Sequence, residues 1–217
     1  MIIKLLVTTS ILFSFLVSKN NNSDSIKLKV FEISDSTITN GKKFKTIQPG
    51  VIEQGREIKF DNANLAPQNV RVIFNDFFKK YIAVKEALVY KDSYGAGSKT
   101  LTLLEQMKSK SDEVNKDIKD ARWDIFMHNY ENIVKKVKDN KFIAEQRFTF
   151  SEVSRGLENF IKQYGLYDKT IYLMQYRNDS LNINSTWMTD KKDFKNPYTG
   201  ELNDTVYSKV KEVWVFE

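Results

Sequence analysis

A mostly α fold carrying a small C-terminal β appendage is predicted by three features of the sequence. Between residues 69 and 164 the apolar residues recur at steps of three and four, the period of a helix with one buried face. Eight Gly and three Pro in 217 residues are too few for a turn-dense all-β chain. After Gly165 the pattern changes to runs of β formers with period two. Four helical stretches with short connections predict an antiparallel four-helix bundle, with a hairpin or small sheet packed on it.

In chain order, Lys4 precedes an uninterrupted apolar run, LLVTTSILFSFLV at residues 5–17, which gives way at once to SKNNNSDS. About 13 apolar residues are fewer than the roughly 20 a membrane-spanning helix needs. The charge, run and polar flank predict a secretory signal peptide over residues 1–18, and hence export to the periplasm or beyond. No transmembrane helix is expected once it is removed. The chain has no Cys, so neither a lipid anchor through Cys nor a disulfide is expected. Residues 19–68 read as a tether followed by an irregular segment with some β character. Residues 26–30 (IKLKV) alternate as a strand, and residues 35–67 are polar, with turns at Gly41, Pro49-Gly50 and Gly55.

Residues 69–217 form the predicted helical domain with its β appendage. Pro67 starts the first helix, whose stripe is Val70, Ile73, Phe77, Tyr81, Val84 and Leu88. Gly95 and Gly97 make the corner to a second helix at residues 98–108, with Leu101, Leu104 and Met107 inward. A third is continuous over residues 112–139, burying Ile118, Ala121, Ile125, Phe126, Tyr130, Ile133 and Val137. The fourth, residues 143–164, buries Phe150, Val153, Leu157, Phe160, Ile161 and Tyr164, and Gly165 ends it as a left-handed C′ residue. Residues 170–176 and 206–216 are the strands, the latter with Tyr207, Val213 and Val215 on one face and Val210, Trp214 and Phe216 on the other.

Enzyme chemistry finds no foothold in this composition, and no cofactor is expected. There is no Cys nucleophile, and the single His, His128, sits mid-helix without a Gly-x-Ser-x-Gly companion. Tyr94-Gly-Ala-Gly-Ser98 lacks the spacing and Lys of a phosphate loop. The pairs Asp112/Glu113 and Asp117/Asp120 lie on Lys-rich helix faces, the ordinary use of surface charge. Lys135, Lys136 and Lys138 suit the C-terminal turn of a helix. The net charge of +6 comes from 34 basic and 28 acidic residues interspersed, not from one basic face, so nucleic acid is not an expected partner.

Between the predicted strands lies WMTDKKDFKNPYTG, residues 187–200. Trp187-Met188-Thr189 and Asn196-Pro197-Tyr198-Thr199-Gly200, with Gln146-Arg147, Phe150, Val153-Ser154 and Leu157 upstream and YIAVKEAL at residues 81–88, resemble the domain of unknown function 3347 family of bacterial envelopes. Members of that family have a Trp-Leu-Ser spacer leading to Asn-Pro-Tyr-Phe-Gly. The resemblance implies a helical domain with soft-metal ligands, copper being the natural partner of its Cys-Pro-Met and Thr-Cys-Gly motifs. This chain departs from it there. Arg177-Asn178-Asp179 stands where Cys-Pro-Met would fall, and residues 204–210 contain no Cys.

Two functional expectations follow. The first is an exported, non-catalytic binding or accessory module with an envelope partner. Its pocket would lie between the C-terminal strands and the fourth helix, lined by Tyr172, Tyr176, Arg177, Trp187, Asn196 and Tyr198, with Arg177 available to a carboxylate or other anion. The second is a degenerate copper-type site linked to metal efflux or homeostasis, built from His128, Met127 or Met174, and Asp179. Residues 187–200 hold no chemistry of their own and read as a structural clasp, with Pro197 setting the turn and Gly200 a permissive backbone.

Overall fold

A computed structural model describes residues 55–178 and 183–217. The expected signal peptide, the tether and the strand at residues 26–30 lie outside the described residues, as does Asp179. Within them the order is β1 (Arg56–Phe60), α1 (Gln68–Val89), α2 (Ser93–Ser109), α3 (Ser111–Ile118), α4 (Ala121–His128), α5 (Tyr130–Asp139), α6 (Ile143–Tyr164), β2 (Lys169–Asn178), β3 (Ile183–Thr189) and β4 (Ser208–Phe216). The fold is helix-dominated with C-terminal β structure. Among the described residues no helix is long and apolar enough to cross a membrane.

Three expectations need correction. The stretch predicted as one helix over residues 112–139 is three. Lys119 adopts φ 47°, ψ 48°, and Asp120, in extended geometry, starts a new helix by accepting a bond from the Arg122 amide. An Asp that caps well competes with helix continuation, and here it wins. The break rotates the next helix, so Trp123 and Met127 turn inward while Ala121 and Ile125 are exposed. Second, Gly95 and Gly97 are not a corner but lie inside α2. The corner falls at Lys91 (φ 59°) and Asp92, whose carboxylate accepts a 2.8 Å bond from the Gly95 amide as N-cap. Third, Gly165 has positive φ as expected, but its ψ of 171° lies outside the left-handed helical region.

The β structure is also larger than a hairpin. Four strands pair in the order β1-β4-β2-β3. β1, inside the segment read as irregular, runs parallel to β4 with Arg56 opposite Glu212 and Phe60 opposite Phe216. β4 and β2 are antiparallel with a bulge at Leu173/Met174, and β2 and β3 are antiparallel with Met174 opposite Trp187. Trp187-Met188-Thr189 is therefore strand, not connector. Lys162 of α6 bonds Glu212 at 3.1 Å and lies over the Trp214 ring, so α6 covers the face that carries Trp214, Ile171 and Leu173.

The core is aromatic. All six stripe residues of α1 and all six of α6 are buried, as their spacing predicts. Trp123 fills the centre, parallel to Phe77 at 6.2 Å and edge-on to Phe160 at 5.1 Å. Arg71, also buried, ties the two ends of the described chain together. Its guanidinium donates to Leu166 O (2.8 Å), Asn62 Oδ1 (2.5 Å) and Glu217 O (2.6 Å), leaving no nitrogen unused.

Candidate functional site

β3 is an edge strand, and an unpaired strand edge exposes amide and carbonyl groups that must find partners. Thr186 and Met188, two residues apart, present their backbone groups to the edge away from β2. The Met188 amide donates to Tyr81 Oη at 3.1 Å, and Thr186 O accepts from Tyr198 Oη at 2.8 Å and from Ser154 Oγ at 3.4 Å. Tyr81 and Ser154 hydroxyls share a further bond of 2.8 Å. Thus side-chain hydroxyls from α1, α6 and the 187–200 segment close the sheet edge where a fifth strand would otherwise sit. Burial pushes both phenols up, and Tyr81 and Tyr198 stay protonated donors at any physiological pH.

The turn of the clasp is held by its own hydrogen bonds and by a buried polar cluster. Asn196 accepts a bond from the Tyr198 amide through Oδ1 (2.8 Å), and its carbonyl accepts from the Gly200 amide (2.8 Å), so the Asn-Pro-Tyr turn is self-bonded. Its amide group then donates to Asp204 Oδ2 at 2.6 Å. The Asp204 carboxylate also accepts from Ser208 Oγ (2.7 Å) and the Tyr207 amide (3.1 Å). Asn196, Asp204 and Ser208 are all buried, and their mutual bonds make that burial tolerable. Arg147 of α6 donates to Pro197 O at 2.8 Å and so joins the two motif segments quoted above.

The charged spacer of the clasp is anchored on α1. Lys85, buried, places Nζ 3.1 Å from Thr189 Oγ1 and 3.1 Å from Glu86 Oε1. Asp193 Oδ1 is 3.5 Å away, within ion-pair reach yet without hydrogen-bond geometry. Lys195 holds the other Glu86 oxygen at 3.3 Å. Burial acts to raise the Glu86 pKa, but the charges of Lys85 and Lys195 outweigh it and hold the carboxyl below its ordinary range. A carboxyl whose folded pKa is depressed stabilises the fold fully above its unfolded value, about 4.3, and that contribution is lost as pH falls through the folded value. Chemical denaturation of wild type and Glu86→Gln at pH 7 and pH 4 is expected to show a gap that narrows at pH 4. A gap of equal size at both pH values would refute the ion-pair account.

The six residues expected to line one pocket are placed differently from one another. Trp187 and Asn196 are 0% exposed. Tyr198 is half-buried, edge-on to Trp187 at 6.1 Å and tilted against Phe150 of α6 at 5.9 Å. Tyr172 and Tyr176 share a strand face with Met174, opposite in parity to the α6-facing Ile171 and Leu173, and Tyr176 packs on Tyr207. Arg177 is exposed at the strand end, with its amide bonded to Tyr207 O at 2.8 Å. The structure thus brings together Trp187, Asn196 and Tyr198, but in an interior and not around an opening. Trp187 Nε1 is buried with no protein hydrogen-bond partner.

The described residues of the metal alternative lie in different surroundings. His128 is exposed at the end of α4, and Met127 and Met174 are buried in the core. Among the described residues no group of three or more His, Asp or Glu side chains is arranged to hold a metal ion. Asp120, one of the carboxylates assigned to a solvated face, is instead a tie point. It holds Arg122 and accepts from Tyr164 Oη, and the Arg122 hydrogen bond keeps its carboxyl below the usual range. Sequence reasoning missed the Asn196–Asp204–Ser208 cluster, because residues 201–207 carry no periodic signal. The available signal was the Asx-Pro turn, whose carboxamide needs a buried acceptor.

No curated protein and no solved structure matches this chain. The model of the family described as Protein of unknown function (DUF3347) matches residues 77–169, which run from the middle of α1 to the first residue of β2 and stop short of the clasp. That stretch holds the α6 stripe and the α1 stripe from Phe77 onward, with Tyr81, Lys85, Arg147 and Ser154, on which the clasp docks, and over it the chain is similar to the DUF3347 family.

Proposed function

We propose that this protein is an exported, non-catalytic module of the bacterial envelope that engages a partner protein through its surface and not through a cavity. Export rests on the Lys4 and residues 5–17 pattern of the sequence. The observation that carries the surface reading is a group of exposed aromatics at one end of the helical layer. There the α1–α2 turn, the α5–α6 loop and the clasp meet. Ser93 Oγ bonds Lys141 O at 2.9 Å, and Lys195 lies over the Tyr90 ring at 5.9 Å. Tyr90, Tyr94 and Phe142 are 62%, 89% and 72% exposed on these segments, and Phe148 follows on α6. Large apolar side chains grouped in this way mark interaction surfaces, and Tyr is the residue type enriched at them. The inward placement of Trp187, Asn196 and Tyr198 supports a surface over the pocket.

Affinity capture from envelope extracts with the full chain, followed by the same capture with Tyr94→Ser/Phe142→Ser, tests this reading. Both positions are exposed, so folding is retained, and the captured partner is expected to fall at least about tenfold, as loss of aromatic anchors does. Equal capture by both proteins would refute it. Titration with Cu(I), Cu(II) and Zn(II) separates it from the metal alternative: submicromolar binding abolished by His128→Ala would overturn the non-metal reading.

A further inference from the structure

Arg147 is the one motif residue whose chemistry the clasp does not exhaust. Its Nε donates to Pro197 O at 2.8 Å and one terminal nitrogen reaches Leu88 O at 3.4 Å, a long contact. Among the described residues no carboxylate forms an ion pair with it. Arg71 shows what the same side chain looks like when satisfied, with all three nitrogens on acceptors. Arg147 is half-buried with donors to spare, and burial without an opposing charge pulls its pKa down. Burying a cation without a counter-ion is unfavourable, and an anion would relieve it.

A second cation points to the same place. A Cβ on Gly200 would lie 2.7 Å from Lys91 Cε and 2.8 Å from Arg147 Nη2, so both side chains meet over the bare Cα of the clasp turn. Gly200 has φ 77°, and a side chain there would both strain the backbone and fill the space the cations share. Lys91 itself is held in left-handed geometry at the end of α1, is exposed, and among the described residues forms no ion pair with a carboxylate. The acidic groups on the neighbouring elements are engaged elsewhere. Glu86 is held by Lys85 and Lys195, Asp92 caps α2, and Glu145 accepts from the Lys141 and Phe142 amides. Glu201 adjoins Gly200 but is exposed and pairs with neither cation.

The geometry points to an oxyanion-binding site at Arg147, Lys91 and Gly200, for a phosphate group that the guanidinium fork and the ammonium hold together. Arg supplies the planar fork suited to phosphate and Lys the mobile point charge. The site adjoins the aromatic end but does not rest on the partner reading, and Tyr94→Ser/Phe142→Ser leaves it intact.

The test is a ¹H–¹⁵N titration of the full chain with inorganic phosphate at constant ionic strength, chloride replacing phosphate. Saturating shifts are expected at the Gly200 amide and Arg147 Nε. In Lys91→Asn, which tolerates the left-handed backbone, the dissociation constant is expected to rise about fivefold or more, in line with a lost charge-assisted bond. Non-saturating shifts, shifts reproduced by chloride, or identical affinity in Lys91→Asn would overturn the site. Flotation with phosphatidylglycerol vesicles distinguishes the source. Co-flotation abolished by Lys91→Asn assigns a lipid headgroup, whereas saturable phosphate binding without flotation assigns a soluble phosphate.

Discussion

Trp123→Ala is expected to destabilise the fold by about 3–5 kcal/mol, the range for truncating a fully buried large aromatic. Trp123 is 0% exposed, stacks on Phe77, meets Phe74, Phe126 and Phe160, and donates its indole N–H to Ser111 Oγ at 3.1 Å. Removing it opens a cavity between α1, α4 and α6 that rigid neighbouring rings cannot fill. Ile125→Ala, two residues on and 62% exposed, is expected to change stability by less than about 0.5 kcal/mol. The pair inverts the order that helical periodicity over residues 112–139 implies. Urea denaturation at constant slope reads both, and a cost for Ile125→Ala equal to that for Trp123→Ala would refute the break at Lys119-Asp120.

Asp204→Ala carries the second largest expected effect, about 2–4 kcal/mol, because it removes the acceptor of two buried side-chain donors and one part-buried amide, at about 1–3 kcal/mol for each buried donor and less than additively. Ser208 Oγ and the Tyr207 amide lose their acceptor, and Asn196 Nδ2 keeps only a long 3.4 Å contact to Ser208 Oγ. The loss should also loosen the clasp, so hydrogen exchange at the Gly200 and Arg177 amides should quicken along with the fall in midpoint. Thr205→Ala, next in sequence and exposed, is the control and should stay within about 0.5 kcal/mol. A midpoint for Asp204→Ala indistinguishable from this control would mean that the cluster is not what closes the turn.

The stripes of α1 and α6 were legible from spacing because each helix turns one unbroken face to the core. Val70 to Leu88 and Phe150 to Tyr164 are buried as read. The middle of the chain was less legible, since its apolar spacing continues through Lys119 and Asp120 and only a capping contact interrupts the helix. β1 was invisible for a different reason. REIKF is charged and short, and it becomes a strand by pairing in parallel with β4, far along the chain. The chemistry of the candidate pocket residues is written in the sequence, but whether an aromatic next to a turn faces inward or outward is not.

Local pattern was enough to establish a helix-dominated chain with β structure at its C-terminus, the α1 and α6 boundaries and the clasp turn. Each of these is written in residues close together in sequence, through period, Pro and Gly. Contacts across long separations settled the remainder: Tyr81 and Tyr198 closing the β3 edge, Asp204 under Asn196, and Arg147 meeting Lys91 over Gly200. Hydrogen bonds and charges act over a few ångströms in space, and only folding brings those partners within that range.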